Sequence, residues 1–279
     1  MGTRSIAAVA ALITFSLPAL PALAQQDTVA QNLARQVMQT ELDADHADHT
    51  RWQYRSHYQK PGEDALFYVI ETDTGAVKKK IRDGGRPLTP AELAEEDRKI
   101  TEFVASPSEQ EKQRKSGRED DKRAEEMLRM MPDAFYWSVK SDTPESTTLA
   151  FVPNTNFTPP SMESRVFAAM SGEIVLDKAQ HRLKLMHGTL TNDVTFGWGL
   201  FGRMRKGGTF SVERHEVKPG IWLIVETHVH IEGKALLFKS ISEQEDEVKS
   251  GFRLTPDAMT LQQAATELKS QPPDTLARR

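Results

Sequence analysis

Residues 166–190, VFAAMSGEIVLDKAQHRLKLMHGTL, decide the predicted fold. Two β-like runs, Val166–Leu176 and Arg182–Leu190, flank the polar segment Asp177-Lys178-Ala179-Gln180. Such runs on either side of a short polar turn predict two antiparallel strands. Within the first run, Ser171-Gly172 is interpreted as a bulge or a turn, because glycine weakens a strand interior.

The same pattern of short β-like runs separated by turns continues on both sides of this hairpin. From Phe135 to Arg253, β-like runs recur about every ten residues between Gly, Asn and Pro turns, which is typical of an antiparallel meander. Three more runs precede them, at Arg51–Gln59, Ala65–Thr72 and Ala76–Arg82. We therefore predict an α+β chain with a long curved antiparallel sheet, a half-barrel of about eleven strands with helices packed on its inner face.

Helical signals lie outside the meander. Asp27 to about Ala44 has helical apolar spacing, and Thr89-Pro90-Ala91-Glu92 is a capping box with proline at the first helical position. Ser108–Arg129 is so rich in both charge signs that it predicts a solvated helical arm. A last helix is expected to open at Thr255-Pro256. Together these elements predict one domain over residues 25–270, with a loose tail at 271–279.

The first 24 residues predict a secretory signal peptide. Arg4 precedes the apolar run Ile6–Leu17, and the segment ends on Ala22-Leu23-Ala24, which fits cleavage after Ala24. Later in the chain, no apolar run is long enough for a transmembrane segment. The expected location is the periplasm.

Composition excludes several classes of function. The 279 residues include 36 Lys and Arg against 40 Asp and Glu, a net charge of -4 that argues against nucleic acid as the main partner. Because cysteine is absent, disulfides, thiol nucleophiles and Cys-ligated metals are excluded. The string Gly197–Gly202 matches GxGxxG but lacks a βαβ setting, so no cofactor is predicted.

Two histidine motifs are candidates for a metal site. Residues 43–49 read DADHADH, and His228-Val229-His230 places two imidazoles on one face of a strand. A polar loop at a helix end and the solvent-facing side of a strand are the favoured interpretations, so no metal ligand is predicted. Catalytic residues are not predicted either, because G-x-S-x-G is absent.

The segment Val194–Met204 combines aromatic residues with three glycines. One interpretation is a kinked strand packed on a helix. The other is the wall of an apolar cavity formed by Phe196, Trp198, Leu200 and Phe201, of which the first three alternate onto one face.

Three segments carry a family resemblance: Phe151-Val152-Pro153-Asn154 through Pro160, Ser171–Asp177, and the run from Gly220-Ile221-Trp222-Leu223 to Lys239. Over roughly Phe135–Arg253 the chain resembles the outer-membrane lipoprotein-sorting-like proteins, the half-barrel lipoprotein carriers and receptors of the periplasm. The best fit is to an exported bacterial branch with Gly-Trp-Gly and Lys-Gly-Gly elements. The resemblance implies a curved sheet plugged by helices, with an apolar hollow for acyl chains.

The sequence therefore predicts a non-enzymatic periplasmic protein that binds a lipid or a lipoprotein acyl chain. An alternative is an envelope scaffold or stress sensor that docks a protein partner through Ser108–Arg129. A third hypothesis is a hydrolase whose site is assembled around His181, His187 or His215.

Overall fold

A computed structural model describes residues 27–196, 202–235 and 244–272. Within them the chain forms five helices: α1 (Thr28–Ala47), α2 (Pro90–Ala105), α3 (Pro107–Ala134), α4 (Met162–Ala168) and α5 (Leu261–Ser270). The strands are β1 (Trp52–Lys60), β2 (Glu63–Thr72), β3 (Gly75–Asp83), β4 (Arg86–Pro87), β5 (Phe135–Asp142), β6 (Ser146–Pro153), β7 (Met170–Asp177), β8 (Arg182–Leu190), β9 (Val194–Phe196), β10 (Gly202–Met204), β11 (Thr209–Lys218), β12 (Ile221–His230), β13 (Gly233–Ala235) and β14 (Gln244–Leu254).

Eleven strands form one open antiparallel sheet, in the order β4-β3-β2-β1-β14-β12-β11-β8-β7-β6-β5. The predicted fold class, an α+β half-barrel, is confirmed. The first described strand, β1, pairs with the last, β14, in the middle of the sheet. A second sheet of three short strands, β13-β10-β9, stands apart from it.

Local capping fixes where the helices begin. Asp27 caps α1, and the Thr89–Glu92 capping box opens α2 as predicted. The last helix begins at Leu261 rather than near Thr255, because Thr260 is the residue whose side chain caps it. The predicted strand at Val166–Leu176 begins only at Met170, since a capping box at Ser161 starts α4 before it.

The helices form two separate hydrophobic cores on the sheet. Helix α1 packs on β5 and β8, and its Ala34, Val37 and Met38 belong to one buried cluster with Phe135 and Trp137. At the other end of the sheet, α2 and α5 pack against β2 and β3 through a second set of buried residues, Tyr68, Ile70, Val77, Ile81, Ile100, Leu261, Ala264, Ala265 and Leu268. The four middle strands, β1, β14, β12 and β11, lie between these cores.

The two cores cover different faces of the sheet. Tyr54 pairs with Val69 across β1 and β2, so both point away from the face on which Tyr68 and Ile70 contact α5. The cross-strand register carries the face of Tyr54 through β14 and β12 to Phe210, which packs against the α1 core. We call this the inner face. The prediction that the helices pack on the inner face is therefore wrong for α2 and α5, which lie on the reverse face and leave the inner face of the middle strands uncovered.

Helix α3 bridges the two ends of the sheet. It buries side chains only near its C-terminus, at Met131, Pro132 and Ala134, and continues through Gly117 without interruption. Neighbouring charges on this helix pair with one another, as Arg114 and Arg118 do with Glu111. In the part of the chain that the structure describes, no helix is both long and apolar enough to span a membrane.

Candidate functional site

A cavity of about 1260 Å³ lies on the inner face of the middle strands. Its floor is formed by β1, β14, β12 and β11, and the C-terminal end of α1 forms one side. Helix α3, which contacts α1, closes a further part of the cavity with Gln113, Arg114, Gly117 and Asp121. The cavity therefore occupies the stretch of sheet that neither hydrophobic core fills.

The floor of the cavity is aromatic and aliphatic. Trp52 and Tyr54 of β1 both contact Phe252 of β14, with ring centroids 6.1 and 5.4 Å apart. Ile224 and Leu254 also line the cavity, although each leaves 42% of its surface exposed. Large apolar side chains exposed inside a concavity are the usual lining of small-molecule sites.

One corner of the cavity contains a buried charge cluster of Glu41, Arg182 and Arg214. The Glu41 carboxylate is 1% exposed and accepts hydrogen bonds from Arg182 Nε at 2.9 Å and Arg182 Nη2 at 3.0 Å. It also accepts from Arg214 Nη1 and from the Leu183 backbone N–H. Burial lowers the pKa of the Arg214 guanidinium. The cluster carries one positive charge more than it has negative charges.

The opposite corner contains the carboxyl group of Glu71. Its Oε2 accepts from the Trp52 backbone N–H at 3.0 Å, and burial raises its pKa. Burial also raises the pKa of the neighbouring Tyr54 hydroxyl, and the Glu71 charge adds to that effect. Lys249 Nζ lies 5.6 Å from the Tyr54 ring centroid. Glu71, the Tyr54 hydroxyl and Lys249 thus interact with one another at this corner.

Helix α3 is fastened over the cavity by polar contacts. The Gln113 side chain binds both the N–H and the carbonyl of Ala76, each at 3.0 Å, and Arg114 donates to the Thr74 carbonyl at 3.1 Å. Toward the other end of the helix, Glu125 contacts His46 of α1 at 2.7 Å. The predicted charged arm is therefore a cover that connects the β2–β3 turn to α1.

The predicted cavity wall falls mostly outside the described residues. Trp198, Leu200 and Phe201 lie beyond them, and of Phe196 only the backbone is described, paired with Gly202 in the small sheet. That assignment therefore stays a prediction. The described cavity has other walls, and its residues come mainly from the middle strands, the C-terminal end of α1, the β2–β3 turn and α3.

Neither histidine motif forms a metal centre in the described part of the chain, where no group of three or more ligating side chains is placed to hold an ion. In the 43–49 motif, His46 binds Glu125, and Asp48 accepts from the Thr50 backbone N–H. His228 and His230 both contact Asp246, at 2.6 and 2.9 Å. Their strand face is the one opposite the cavity, because Thr227 and Val229 point inward.

The outer face of the sheet carries a band of histidine–carboxylate pairs. Three further histidines on strands contact acids there: His57 with Asp64, His187 with Glu173, and His215 with Glu213. His187 and His215, two of the three histidines considered for a hydrolase, are thus each paired with a carboxylate on this partly exposed surface. Each pair joins neighbouring strands or neighbouring positions of one strand.

His228 is expected to titrate above the ordinary histidine value of 6.5, because its hydrogen bond to Asp246 raises its pKa. The pair therefore stabilises the fold fully below that ordinary value, and the contribution is lost as pH rises through the raised value. Titration of the His228 ring followed by NMR measures this shift, and Asp246→Asn should move its pKa downward. Asp64→Asn, on another pair, should leave it in place; an unchanged His228 pKa in Asp246→Asn would contradict the assignment.

Comparison with protein-family models and with curated proteins finds no match for this chain. The case for a function accordingly rests on the cavity and its side chains.

Proposed function

We propose that this protein binds a ligand with a long apolar chain, a lipid or a lipoprotein acyl chain, in the cavity of its half-barrel. The observation that carries the proposal is the aromatic and aliphatic floor, where Ile224 and Leu254 remain 42% exposed inside a concavity of about 1260 Å³. Export to the periplasm, expected from residues 1–24, would place the protein where such ligands cross between membranes.

The size of the cavity supports a chain rather than a compact molecule. Sites for drug-sized ligands measure about 300–1,000 Å³, and this cavity exceeds that range. Burying one methylene group contributes about 0.8 kcal/mol, so ten buried methylenes would contribute about 8 kcal/mol before the cost of association. The apolar floor alone can therefore supply useful affinity, and no catalytic group is needed for binding.

Native mass spectrometry of protein purified from its own host, followed by lipid extraction, tests the proposal directly. We expect an adduct that extracts as a lipid. Protein that carries no lipid and also fails to bind an added fluorescent acyl probe would contradict it.

A charge placed on the cavity floor should weaken binding. Leu254→Asp is expected to reduce affinity for a fluorescent acyl probe at least tenfold, because the carboxylate would be desolvated against the chain. Val152→Asp is the matched control, since Val152 is 43% exposed on β6 and does not line the cavity. Equal affinities for the two variants, measured by fluorescence titration, would place the ligand elsewhere.

A further inference from the structure

The proposed function leaves open what the polar end of the ligand is. Of the charged groups in the cavity wall, the Glu41–Arg182–Arg214 cluster is the one most isolated from water. All four hydrogen bonds to Glu41 come from within the fold, two to each carboxylate oxygen. Glu41 contacts both arginines, but its single negative charge balances only one of their two positive charges.

Arg214 has the unused donors of the cluster. A guanidinium offers five N–H groups, and the described hydrogen bonds of Arg214 use two of them, one to Glu41 and one to the Trp222 carbonyl at 2.9 Å. Its Nε has no hydrogen-bond partner among the described residues. Arg182, in contrast, directs three nitrogens to Glu41 and to the Gly220 carbonyl.

Lys249, Arg114 and Arg51 also line the cavity, but each is more exposed than Arg214 and contacts a carboxylate. Lys249 pairs with Glu247 at 3.4 Å, and Arg114 shares Glu111 with Arg118. Arg51 pairs with Asp73 at 3.5 Å. Near Arg214 the remaining acid is Asp45, an exposed residue at the end of α1 that acts on it only through space. Excess positive charge is therefore concentrated at Arg214.

Position connects this charge to the apolar floor. Arg214 lies directly opposite Ile224 in the β11–β12 register, and both line the cavity. A ligand head at the guanidinium would have its chain start on Ile224 and continue toward Leu254 and Phe252. The cluster has one excess positive charge, which a single carboxylate would balance. The planar guanidinium group also matches the geometry of a carboxylate.

We infer that the apolar ligand is a single-chain fatty acid whose carboxylate binds Arg214. The inference rests on the proposed function, because it specifies the head group of a ligand held by the same cavity. Arg214 would contribute selectivity. The apolar floor accepts any chain, and Arg214 favours the acid over its neutral derivatives.

Competition between dodecanoic acid and methyl dodecanoate for a cavity-bound fluorescent acyl probe, at pH 7, separates the head from the chain. We expect the acid to bind at least tenfold more tightly than the ester. Arg214→Met should remove this preference, and it leaves Glu41 paired with Arg182. Arg214→Lys, which keeps the charge but not the fork, should retain part of it. Arg51→Met, at the cavity edge, is the matched control and should keep the full preference.

Each outcome decides one statement. Equal affinity for acid and ester in the native protein overturns the carboxylate head and leaves the proposed function standing. No binding of either compound overturns the proposed function itself. A preference that survives in folded Arg214→Met overturns the assignment to Arg214, and tighter binding of dodecyl phosphate than of dodecanoate overturns the choice of a carboxylate.

Discussion

Replacing Glu41 with Gln is expected to lower the free energy of unfolding by about 3–5 kcal/mol, because it leaves two buried arginines without a counter-charge. Glu41 is 1% exposed, and Arg182 and Arg214 both depend on its carboxylate. The amide of Gln would also turn an NH₂ group toward one guanidinium. Urea unfolding followed by far-ultraviolet circular dichroism measures the loss.

An exposed ion pair of the same helix is the control. Arg35 of α1 contacts Asp133 at 2.9 Å, and both side chains are more than half exposed. Asp133→Asn should therefore change stability by less than about 1 kcal/mol. If Glu41→Gln were as mild as Asp133→Asn, the cluster would be hydrated and the inference about Arg214 would lose its basis.

A triple replacement separates stability from recognition. Changing Glu41 to Leu and both Arg182 and Arg214 to Met removes every charge of the cluster at once. Apolar replacement of a whole buried ion cluster is commonly neutral or stabilising, so the triple variant should recover most of the stability lost in Glu41→Gln. It should still bind acyl chains and no longer prefer the acid.

The fold was predictable because its signals are local. Strand periodicity, turn residues and the Thr89–Glu92 capping box each act within a few residues, and the structure confirms them. Boundaries were wrong where a competing cap was overlooked, as at Ser161 before β7 and Thr260 before α5.

The cavity was not predictable, because its walls meet only through long-range pairing. Trp52 and Phe252 are 200 residues apart in the sequence, and the β1–β14 pairing brings them together. No periodicity within either strand encodes that partner. The local pattern of adjacent aromatic residues and glycines favours Phe196 and Trp198 instead.

One feature of the sequence does indicate the buried charge cluster, although the predictions did not use it. Glu41 follows Val37 by four residues on the buried stripe of α1, where apolar residues are expected. A charged residue in such a stripe requires a buried partner, because an unpaired buried charge is too costly. The sequence does not indicate which arginines supply the partner, because Arg182 lies on β8 and Arg214 on β11, far from α1 along the chain.

Gly172→Ala should destabilise the protein by about 3 kcal/mol or more, because the added methyl group has no room and overpacking of a rigid site is costly. The sequence interpretation of Gly172 as a bulge or turn was wrong: it lies inside β7, opposite Gly188 of β8. Its Cβ would fall far inside contact distance of the His187 carbonyl oxygen and 2.6 Å from the Gly188 Cα. The two strands would have to separate to admit it.

The rings on either side explain why two glycines face each other here. Phe151 of β6 pairs with Gly172, and Phe210 of β11 pairs with Gly188, so a row of Phe-Gly-Gly-Phe crosses four strands on the inner face. Both rings lean over the glycines, within 2.8 and 2.5 Å of where their Cβ atoms would be. The glycines leave room for the two rings to pack closely over the curved strands as part of the α1 core.

Gly117→Ala provides the opposite expectation from the same substitution. Gly117 lies inside α3, and a Cβ placed there would meet nothing within 4 Å. Alanine should therefore stabilise the helix by up to about 1 kcal/mol. Urea unfolding of the two variants should move in opposite directions. A Gly172→Ala protein as stable as the native one would show that β7 and β8 have room for a methyl group at this row, and would contradict the requirement for glycine at position 172.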